Sequence, residues 1–285
     1  MNDKTLTWEQ AVQWLRDQPE KDEIVKLCYY DDPIESAAER FSKSEEWVGI
    51  MILLKEVLQS KTFGKVLDIG AGRGISSYAF AKSGYEVTAL EPNPSDLVGA
   101  ESIRQLSQRT GMNITVVQDW GETLPFSDNT FDIVYGRAVL HHANDLNQLC
   151  KEAARVLKPN GCFIATREHV ISRKDDLQKF LDSHLLHHLY GGENAYLLSE
   201  YLTAIKLSGL KIIKTLTPYQ SVINYFPMTK SERQNLIEPV LKRKLGNLLG
   251  NNLAKLKFLQ EMYIWKLERN LNTPGRHYSF LATKP

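Results

Sequence analysis

Apolar and polar residues follow two different periodicities along the chain, and the middle of the chain switches between them repeatedly. Short, mostly apolar runs predict buried strands, whereas segments with an apolar residue every three or four positions predict helices. Strands that alternate with helices indicate βαβ units, and right-handed crossovers then give a doubly wound, mostly parallel α/β sheet. The predicted strands are KVLDI (65–69), EVTAL (86–90), ITVV (114–117), FDIVY (131–135) and CFIAT (162–166), and the intervening helices are 75–82, 95–109 and one led by Leu146.

The two ends of the chain lack this alternation. Residues 1–63 are predicted to be helical, with Trp8, Val12 and Leu15 on one face. After helices at 175–190 and 198–208, the chain has two further strand candidates, 210–216 and YSFLAT (278–283), separated by about sixty residues of helical periodicity. We therefore expect a seven-stranded sheet whose last strand is antiparallel. The expected division is an N-terminal helical cap (1–63), an α/β domain (64–217 with 278–285) and a helical insertion acting as a lid (218–277).

Composition is that of a globular protein without a charged partner surface overall. The chain has 285 residues, 42% of them apolar, with a formal net charge of +1. Nothing in this balance indicates nucleic-acid binding. Charge is uneven at the ends, however: residues 1–46 hold 6 basic and 12 acidic residues, and residues 226–285 hold 11 basic and 4 acidic ones. We interpret these as solvated helix faces.

The cysteine count and the hydropathy pattern bear on location. Three cysteines, Cys28, Cys150 and Cys162, do not make a disulfide framework. No apolar run approaches the roughly 20 residues that span a bilayer, and the start of the sequence, MNDKTLTWEQ, lacks the apolar stretch of a signal peptide. A cytoplasmic location is the resulting expectation.

Candidate chemistry follows the first two strands, where open α/β sheets bind ligands. DIGAGRG comes after the first strand, and Glu91, 19 residues beyond Gly72, ends the second. A carboxylate there suits a ribose diol, because it accepts two hydroxyl hydrogen bonds. The glycine spacing is G-x-G-x-G rather than the dinucleotide pattern G-x-G-x-x-G. Asp68 would also oppose a pyrophosphate, and it suits a ligand with an ammonium group instead.

Four motifs in order resemble the class I S-adenosylmethionine-dependent methyltransferases, in particular their small-molecule, methyltransferase type 11-like branch. They are VLDIGAGRG, Glu91, QDWGETLPFSDNTFDIVYGRAVLHH and LKPNGCFIATRE, and they cover about residues 63–169. The resemblance implies an enzyme with a Rossmann-like fold. It also implies S-adenosyl-L-methionine as cofactor and S-adenosyl-L-homocysteine as product.

The resemblance also implies roles for individual residues. Trp120 would stack on the adenine, with a core position as the alternative, and Arg137 would lie beside the methionine moiety, with a surface salt bridge as the alternative. The remaining cofactor-binding candidates are Asp68, Gly70, Ala71 and Gly72 at the methionine end, Glu91 at the ribose hydroxyls, Pro92 beside the adenine and Asp119 at the adenine amino group.

Candidate bases for the acceptor follow the fourth and fifth strands: His141, His142, Glu168 and His169. Histidine titrates near neutral pH and suits proton abstraction from a hydroxyl. The alternative for His141 and His142 is packing at a helix start, and for Glu168 and His169 it is a polar strand end.

A metal site is not predicted. His184 and His188 stand at i and i+4 on a predicted helix, with His187 between them, as two ligands would. No cysteine cluster or HExxH motif accompanies them, and a metal site needs further ligands. A solvated helix face is the preferred interpretation.

The expected partner is a small-molecule acceptor methylated on O or N. No [DN]-P-P-[FYW] tetrapeptide, the device of nucleic-acid amino methylases, is present. The alternatives are a non-catalytic cofactor-binding subunit and a methyltransferase for a protein or a membrane-associated substrate. The insertion carries Lys242, Arg243, Lys244, Lys255 and Lys257 next to leucines, as interfacial helices do. Docking of those helices on their own domain explains the same pattern and is preferred. The oligomeric state is left open.

Overall fold

The N-terminal segment is helical and begins at a defined cap. The computed structural model describes residues 6–58, 64–183, 185–190, 194–270 and 275–285. Thr7 and Gln10 form a reciprocal capping box, with 3.2 Å from Gln10 N to Thr7 Oγ1 and 3.0 Å from Thr7 N to Gln10 Oε1. The N-terminal helices are α1 (Trp8–Arg16), α2 (Asp22–Leu27), α3 (Ile34–Ser42) and α4 (Glu45–Leu58), with a 3₁₀ turn at Pro19–Lys21.

The described residues form one open, mostly parallel sheet, as predicted. Its order is β3-β2-β1-β4-β5-β8-β7, and the two-residue β6 pairs with the end of β5. Only β8 is antiparallel, both to β5 and to β7. The strands are β1 (Lys65–Ile69), β2 (Glu86–Leu90), β3 (Ile114–Val117), β4 (Phe131–Arg137), β5 (Leu157–Ile171), β6 (Tyr196–Leu197), β7 (Lys211–Leu216) and β8 (Arg276–Thr283).

Helices cover both faces of the sheet, because successive strand residues point to opposite sides. Val66 packs with residues of α3, α4, α5 and α6 on one face, and Leu67 packs with residues of α7 and α10 on the other. The helices after β1 are α5 (Ile75–Lys82), α6 (Ala100–Thr110), α7 (Leu146–Val156), α8 (Asp176–Ser183), α9 (Leu185–Tyr190) and α10 (Leu198–Leu207).

One helix starts later than the sequence predicts. Residues 95–99 precede α6 and do not join it, because short polar side chains bind the backbone there. Asn93 Oδ1 accepts from Ser95 N at 2.9 Å, and Ser95 Oγ accepts from Leu97 N at 3.0 Å. The resulting turn carries the chain past the carboxyl end of β2.

The long detour between β7 and β8 is a set of helices, as the periodicity predicts. These helices are α11 (Val222–Tyr225), α12 (Lys230–Asn235), α13 (Glu238–Ala254) and α14 (Lys257–Glu268). α13 is kinked at Gly246, whose φ of 79° is left-handed. α11 packs against α4 and β8. None of the described helices is long and apolar enough to cross a bilayer.

Candidate active site

A cleft of about 680 Å³ opens at the carboxyl ends of β1, β2 and β4. This size lies in the range of small-molecule sites. The sheet contributes the glycine loop and the residues after β2, β3 and β4, while the N-terminal helices contribute aromatic side chains. Lining residues include Gly70, Ala71, Gly72, Arg73, Glu91, Pro92, Trp120, Arg137 and His142 from the α/β part, with Trp8, Cys28, Tyr29 and Tyr30 from the N-terminal part.

The glycine loop has positive φ angles, which residues with a Cβ atom rarely adopt. Gly70 has a φ of +60°, and a Cβ there would lie 2.1 Å from Cγ2 of Val139. Gly72 also has a positive φ, and its N–H donates to Glu91 Oε2 at 2.8 Å. The loop after β1 and the acid after β2 are therefore joined directly.

Glu91 is held at the cleft wall as a hydrogen-bond acceptor. Its second oxygen, Oε1, accepts from Asn93 N at 3.0 Å. Burial raises the pKa of this carboxyl to about 7, although the two backbone N–H donors oppose the rise. Further donors would stabilise the ionised form.

Asp68 lies beneath the glycine loop and is almost fully buried. Its Oδ2 accepts from Ser76 Oγ at 2.7 Å and from Ser77 Oγ at 2.6 Å. Within the described residues, its Oδ1 accepts no hydrogen bond. Burial raises the pKa of Asp68 to about 6. A buried acceptor without a partner is costly, and a cationic donor would relieve that cost.

Trp120 and Asp119 follow β3, but the cleft contains only the first. The Trp120 side chain is 60% exposed, so it is not a core residue, and it lines the cleft beside Pro92 and Glu122. Asp119 is not among the described residues that line the cleft. Its Oδ1 instead accepts from Trp120 N at 2.8 Å.

Arg137 ends β4 and is paired inside the protein rather than at the surface. Its Nε and Nη2 donate to the two oxygens of Glu46, at 2.7 and 3.0 Å. The guanidinium lies over the rings of Tyr29 and Phe41, 5.7 and 5.4 Å from their centroids. Burial alone would lower the pKa of Arg137, but the Glu46 carboxylate outweighs burial and raises it.

Glu46 was missed by the sequence interpretation, although it is fully buried. The Glu45-Glu46 pair at the start of α4 is typical of a solvated first turn, so the sequence held no signal for its burial. The available signal was indirect: Arg137 is a cation at the end of a largely apolar strand, and a buried cation needs a counter-ion.

The four candidate bases divide into one cleft residue and three supporting ones. His142 is exposed and lines the cleft. His141 is buried, and its Nδ1 lies 2.8 Å from Glu168 Oε2. Glu168 also accepts from the backbone N–H groups of Val139, Leu140 and His141, at 3.1 to 3.2 Å. This placement corrects the expectation of acceptor contact at Glu168, because backbone donors and the His141 ring occupy its oxygens.

His169 also lies outside the described lining of the cleft. Its ring packs against those of His141, His187 and His277, with centroids 4.6, 5.3 and 4.9 Å away. Burial and the neighbouring histidines lower the pKa of His169 well below its usual value. The expectation that His169 contacts the acceptor is thus corrected by its packing in this cluster.

The described residues contain no group of three or more histidine, cysteine or acidic side chains arranged to hold a metal ion. His187 is buried in the cluster and His188 is exposed, while His184 lies outside the described residues. All three cysteines are free thiols.

Comparison with known proteins identifies the α/β part. Residues 67–165 match a family described as a methyltransferase domain. The α/β part of the chain thus carries a methyltransferase domain. Over 142 residues it is 31% identical to the uncharacterized methyltransferase YcgJ of Bacillus subtilis, a match that covers 50% of this chain and 53% of YcgJ. The chain thus spans about half the length of that curated relative.

Two of the solved structures that resemble this chain illustrate its fold. A protein from Galdieria sulphuraria, provisionally described as a sarcosine dimethylglycine methyltransferase, is 25% identical, with 89% of each chain covered and a TM-score of 0.55. The geranyl diphosphate C-methyltransferase of Streptomyces coelicolor, solved with S-adenosyl-L-homocysteine, has a TM-score of 0.57 at 14% identity, covering 90% of this chain and 85% of its own. The second likeness concerns the fold alone.

The residues of the cleft fit S-adenosylmethionine, the methyl donor that the match to a methyltransferase domain implies. The buried Oδ1 of Asp68 lacks a donor, as a site for an ammonium group requires. Glu91 presents a carboxylate at the cleft wall, and the close approach of Gly70 to Val139 leaves no room for a side chain at position 70.

The N-terminal helices are bound to the glycine loop by hydrogen bonds from Arg73. Arg73 donates to the carboxylate of Asp32 at 2.7 Å and to the backbone oxygens of Tyr29 and Asp31, at 2.9 and 3.0 Å. On the other side of the cleft, Ser95 Oγ donates to Glu9 Oε1 at 2.8 Å. These bonds hold Trp8, Tyr29 and Tyr30 at the cleft.

The insertion takes a different position from the N-terminal helices. No described residue of 218–277 lines the cleft. Arg167 Nη1 donates to the backbone oxygens of Ile223 and Phe226, at 3.1 and 2.8 Å, and lies 3.9 Å from Glu46 Oε2, so α11 docks next to the Arg137–Glu46 pair. Tyr219, Tyr225 and Phe226 of the insertion are not among the described residues that line this cleft.

Proposed function

We propose that this chain transfers a methyl group from S-adenosylmethionine to an oxygen or nitrogen atom of a small-molecule acceptor. The observation that supports this proposal is one cleft with two halves that are lined by different kinds of residues. One half contains the glycine loop, Glu91 and Arg137, and the other contains His142 and the tyrosines of the N-terminal segment. This division offers separate surfaces to a donor and an acceptor.

In the first half, the side chains bind and orient the cofactor. Glu91 accepts from the ribose hydroxyls, while Asp68, Gly70, Ala71 and Gly72 receive the methionine end. Pro92 and Trp120 flank the adenine, and Arg137 lies toward the methionine moiety. Asp119 lies outside the described lining, and its Oδ2, the oxygen that Trp120 N does not bind, is the one offered to the adenine amino group. S-adenosylmethionine supplies an electrophilic methyl group on a sulfonium. Holding an acceptor in line with that methyl group supplies much of the rate, since orientation alone can contribute roughly 7–11 kcal/mol.

In the second half, His142 is the side chain that removes a proton from the acceptor. It is exposed, it lines the cleft and it belongs to the turn that Glu168 positions. Tyr29, Tyr30 and Trp8 exclude water from the reacting atoms. We propose residues 1–63 as a cap over the cleft, 64–217 with 278–285 as the catalytic domain, and 218–277 as an insertion that docks next to the Arg137–Glu46 pair.

The test combines cofactor binding with label transfer. Calorimetry with S-adenosylhomocysteine measures binding, and incubation with methyl-labelled S-adenosylmethionine and a mixture of small hydroxyl and amine compounds measures transfer. We expect label in the small-molecule fraction, with loss of transfer but retained cofactor binding in His142→Ala. Binding without transfer to any acceptor would support a non-catalytic subunit, and label in macromolecules would support a protein substrate.

A further inference from the structure

Exposed apolar side chains are concentrated in one stretch of the insertion. Of the fifteen large hydrophobic side chains that the described residues expose, seven lie between Leu245 and Trp265. Four are leucines, and the others are Phe258, Met262 and Trp265. Leu248 and Phe258 are 78% and 67% exposed. We name the exposed side chains of residues 243–269 the basic–apolar surface.

Helix α14 is apolar on two sides but has a partner on only one of them within the described residues. Ile264 is buried against the protein, whereas Phe258, Met262 and Trp265 are exposed. Their spacing of four and three residues places these three on one helix face. A helix that is apolar on both sides is normally covered on both. The outer face of α14 is therefore built to contact something outside the chain.

The charge of the same stretch indicates what that contact is. Residues 243–269 contain six basic and two acidic residues. The basic side chains are exposed and adjoin the apolar ones, as Lys257 adjoins Phe258 and Lys266 adjoins Trp265. Arg269 stacks on the Trp265 ring, 3.6 Å from its centroid. Leucine and aromatic side chains mixed with lysine and arginine are the composition of interfacial helices.

We propose that the basic–apolar surface docks on an anionic lipid bilayer surface. The apolar side chains would enter the boundary between headgroups and acyl chains, and the basic ones would face anionic headgroups. A symmetric dimer through this surface is disfavoured, because a two-fold interface would place the same positive charges against each other. The contact is interfacial, since none of the described helices is long and apolar enough to span a membrane. It is independent of the proposed methyl transfer.

The test uses a matched pair of variants in the full chain. Lys257→Glu with Phe258→Ser changes one basic and one apolar residue of the surface. Lys206→Glu with Leu207→Ser makes the same two changes at exposed positions on α10, outside the surface. Flotation measures binding to vesicles of phosphatidylcholine alone and of phosphatidylcholine mixed with phosphatidylglycerol. Calorimetry with S-adenosylhomocysteine checks that both variants keep the cleft.

We expect the native chain and the α10 variant to bind the anionic vesicles and not the neutral ones. The 257/258 variant should bind the anionic vesicles roughly tenfold more weakly or worse, since it loses a headgroup contact and a buried ring. Equal binding to both vesicle types, absence of binding, or an unaffected 257/258 variant would overturn the proposal. Light scattering that shows a dimer broken by the same variant, without vesicle binding, would assign the surface to a second copy instead.

Discussion

Oε2 of Glu168 lies 2.8 Å from Nδ1 of His141, and the same carboxylate accepts three successive backbone N–H groups from residues 139–141. A side chain of β5 thus fixes the turn that follows β4. That turn contributes Val139 and His142 to the cleft. Glu168 is therefore a positioning residue, and it acts on the cleft through the backbone.

Replacing this carboxylate should destabilise the protein. Glu168→Gln keeps one carbonyl acceptor but introduces an amide donor that faces other donors. We expect a loss of about 1.5–3 kcal/mol in the free energy of unfolding, the range for hydrogen bonds to a charged group. Urea denaturation measures it. Glu101→Gln, in an exposed pair with Arg104, should lose less than about 0.5 kcal/mol. Similar losses in both variants would contradict the positioning role.

The strands could be predicted from sequence because each is apolar and short. β1, β2 and β3 have the predicted bounds, and the antiparallel pairing of YSFLAT is confirmed in β8. The start of α6 was predicted five residues early, because helical periodicity does not reveal that Asn93 and Ser95 bind the backbone. Hydrogen bonds from the backbone to short polar side chains leave little trace in the apolar pattern of a sequence, but they determine where a helix begins.

The partners of the site residues could not be predicted in the same way. Glu91 and Gly72 meet because β1 and β2 are neighbouring parallel strands, which the motif order already indicated. Arg137 meets Glu46, and Arg73 meets Asp32, only through the docking of the N-terminal helices on the sheet. No periodicity encodes which helix docks there, so these long-range ion pairs had to come from the structure.

The bond between Arg73 and Asp32 should couple the N-terminal helices to the cofactor. Arg73→Ala removes this ion pair and the two donations to Tyr29 O and Asp31 O. We expect several-fold weaker binding of S-adenosylhomocysteine and faster hydrogen exchange in residues 22–32. Calorimetry and exchange mass spectrometry provide the two readings.

Arg104→Ala is the matched control for Arg73→Ala, because Arg104 pairs with Glu101 at the surface and not with the N-terminal segment. It should leave both readings unchanged. If hydrogen-exchange rates in Arg73→Ala equalled those of the native chain, the N-terminal helices would keep their position without this bond.

The histidine cluster should make stability sensitive to mild acid. The pKa values of His169 and His277 lie well below the usual 6.5, because burial and nearby cations disfavour their charged forms. His141, His187 and Arg167 are among those neighbours. The unfolded chain binds protons below about pH 6.5 and the folded chain does not, so stability falls as pH decreases.

The variant His169→Asn should reduce this acid sensitivity. Between pH 7.5 and pH 5.5, His169→Asn should lose about 1.4 kcal/mol less free energy of unfolding than the native chain loses. One pH unit below the usual pKa of 6.5 corresponds to about this amount for one histidine. His188→Asn, at an exposed position, should leave the pH dependence unchanged. Urea denaturation at the two pH values measures both, and parallel losses in the native chain and in His169→Asn would contradict the assignment.

Cofactor affinity should depend on pH through the carboxyl group of Glu91. Burial raises its pKa to about 7 in the free protein, so at pH 6 most of this group is protonated. Ribose hydroxyls donate to the ionised form and favour it. Binding should therefore lower the pKa of Glu91 and release protons, and affinity should rise as pH increases through about 7 and level off above it.

Calorimetry with S-adenosylhomocysteine at pH 6 and pH 8 tests this linkage. If only the ionised carboxylate binds, affinity should be up to about tenfold weaker at pH 6, because one pH unit below the pKa leaves about a tenth of the group ionised. Glu91→Gln should bind more weakly at pH 8 and should lose most of the pH dependence. Glu86→Gln lies at the far end of the same strand, where Glu86 pairs with Lys65, and should behave as the native chain does. An unchanged pH profile in Glu91→Gln would remove Glu91 from the ribose site and leave Asp68, with its pKa of about 6, as the titrating group. Affinity that falls with rising pH would contradict binding through either carboxylate.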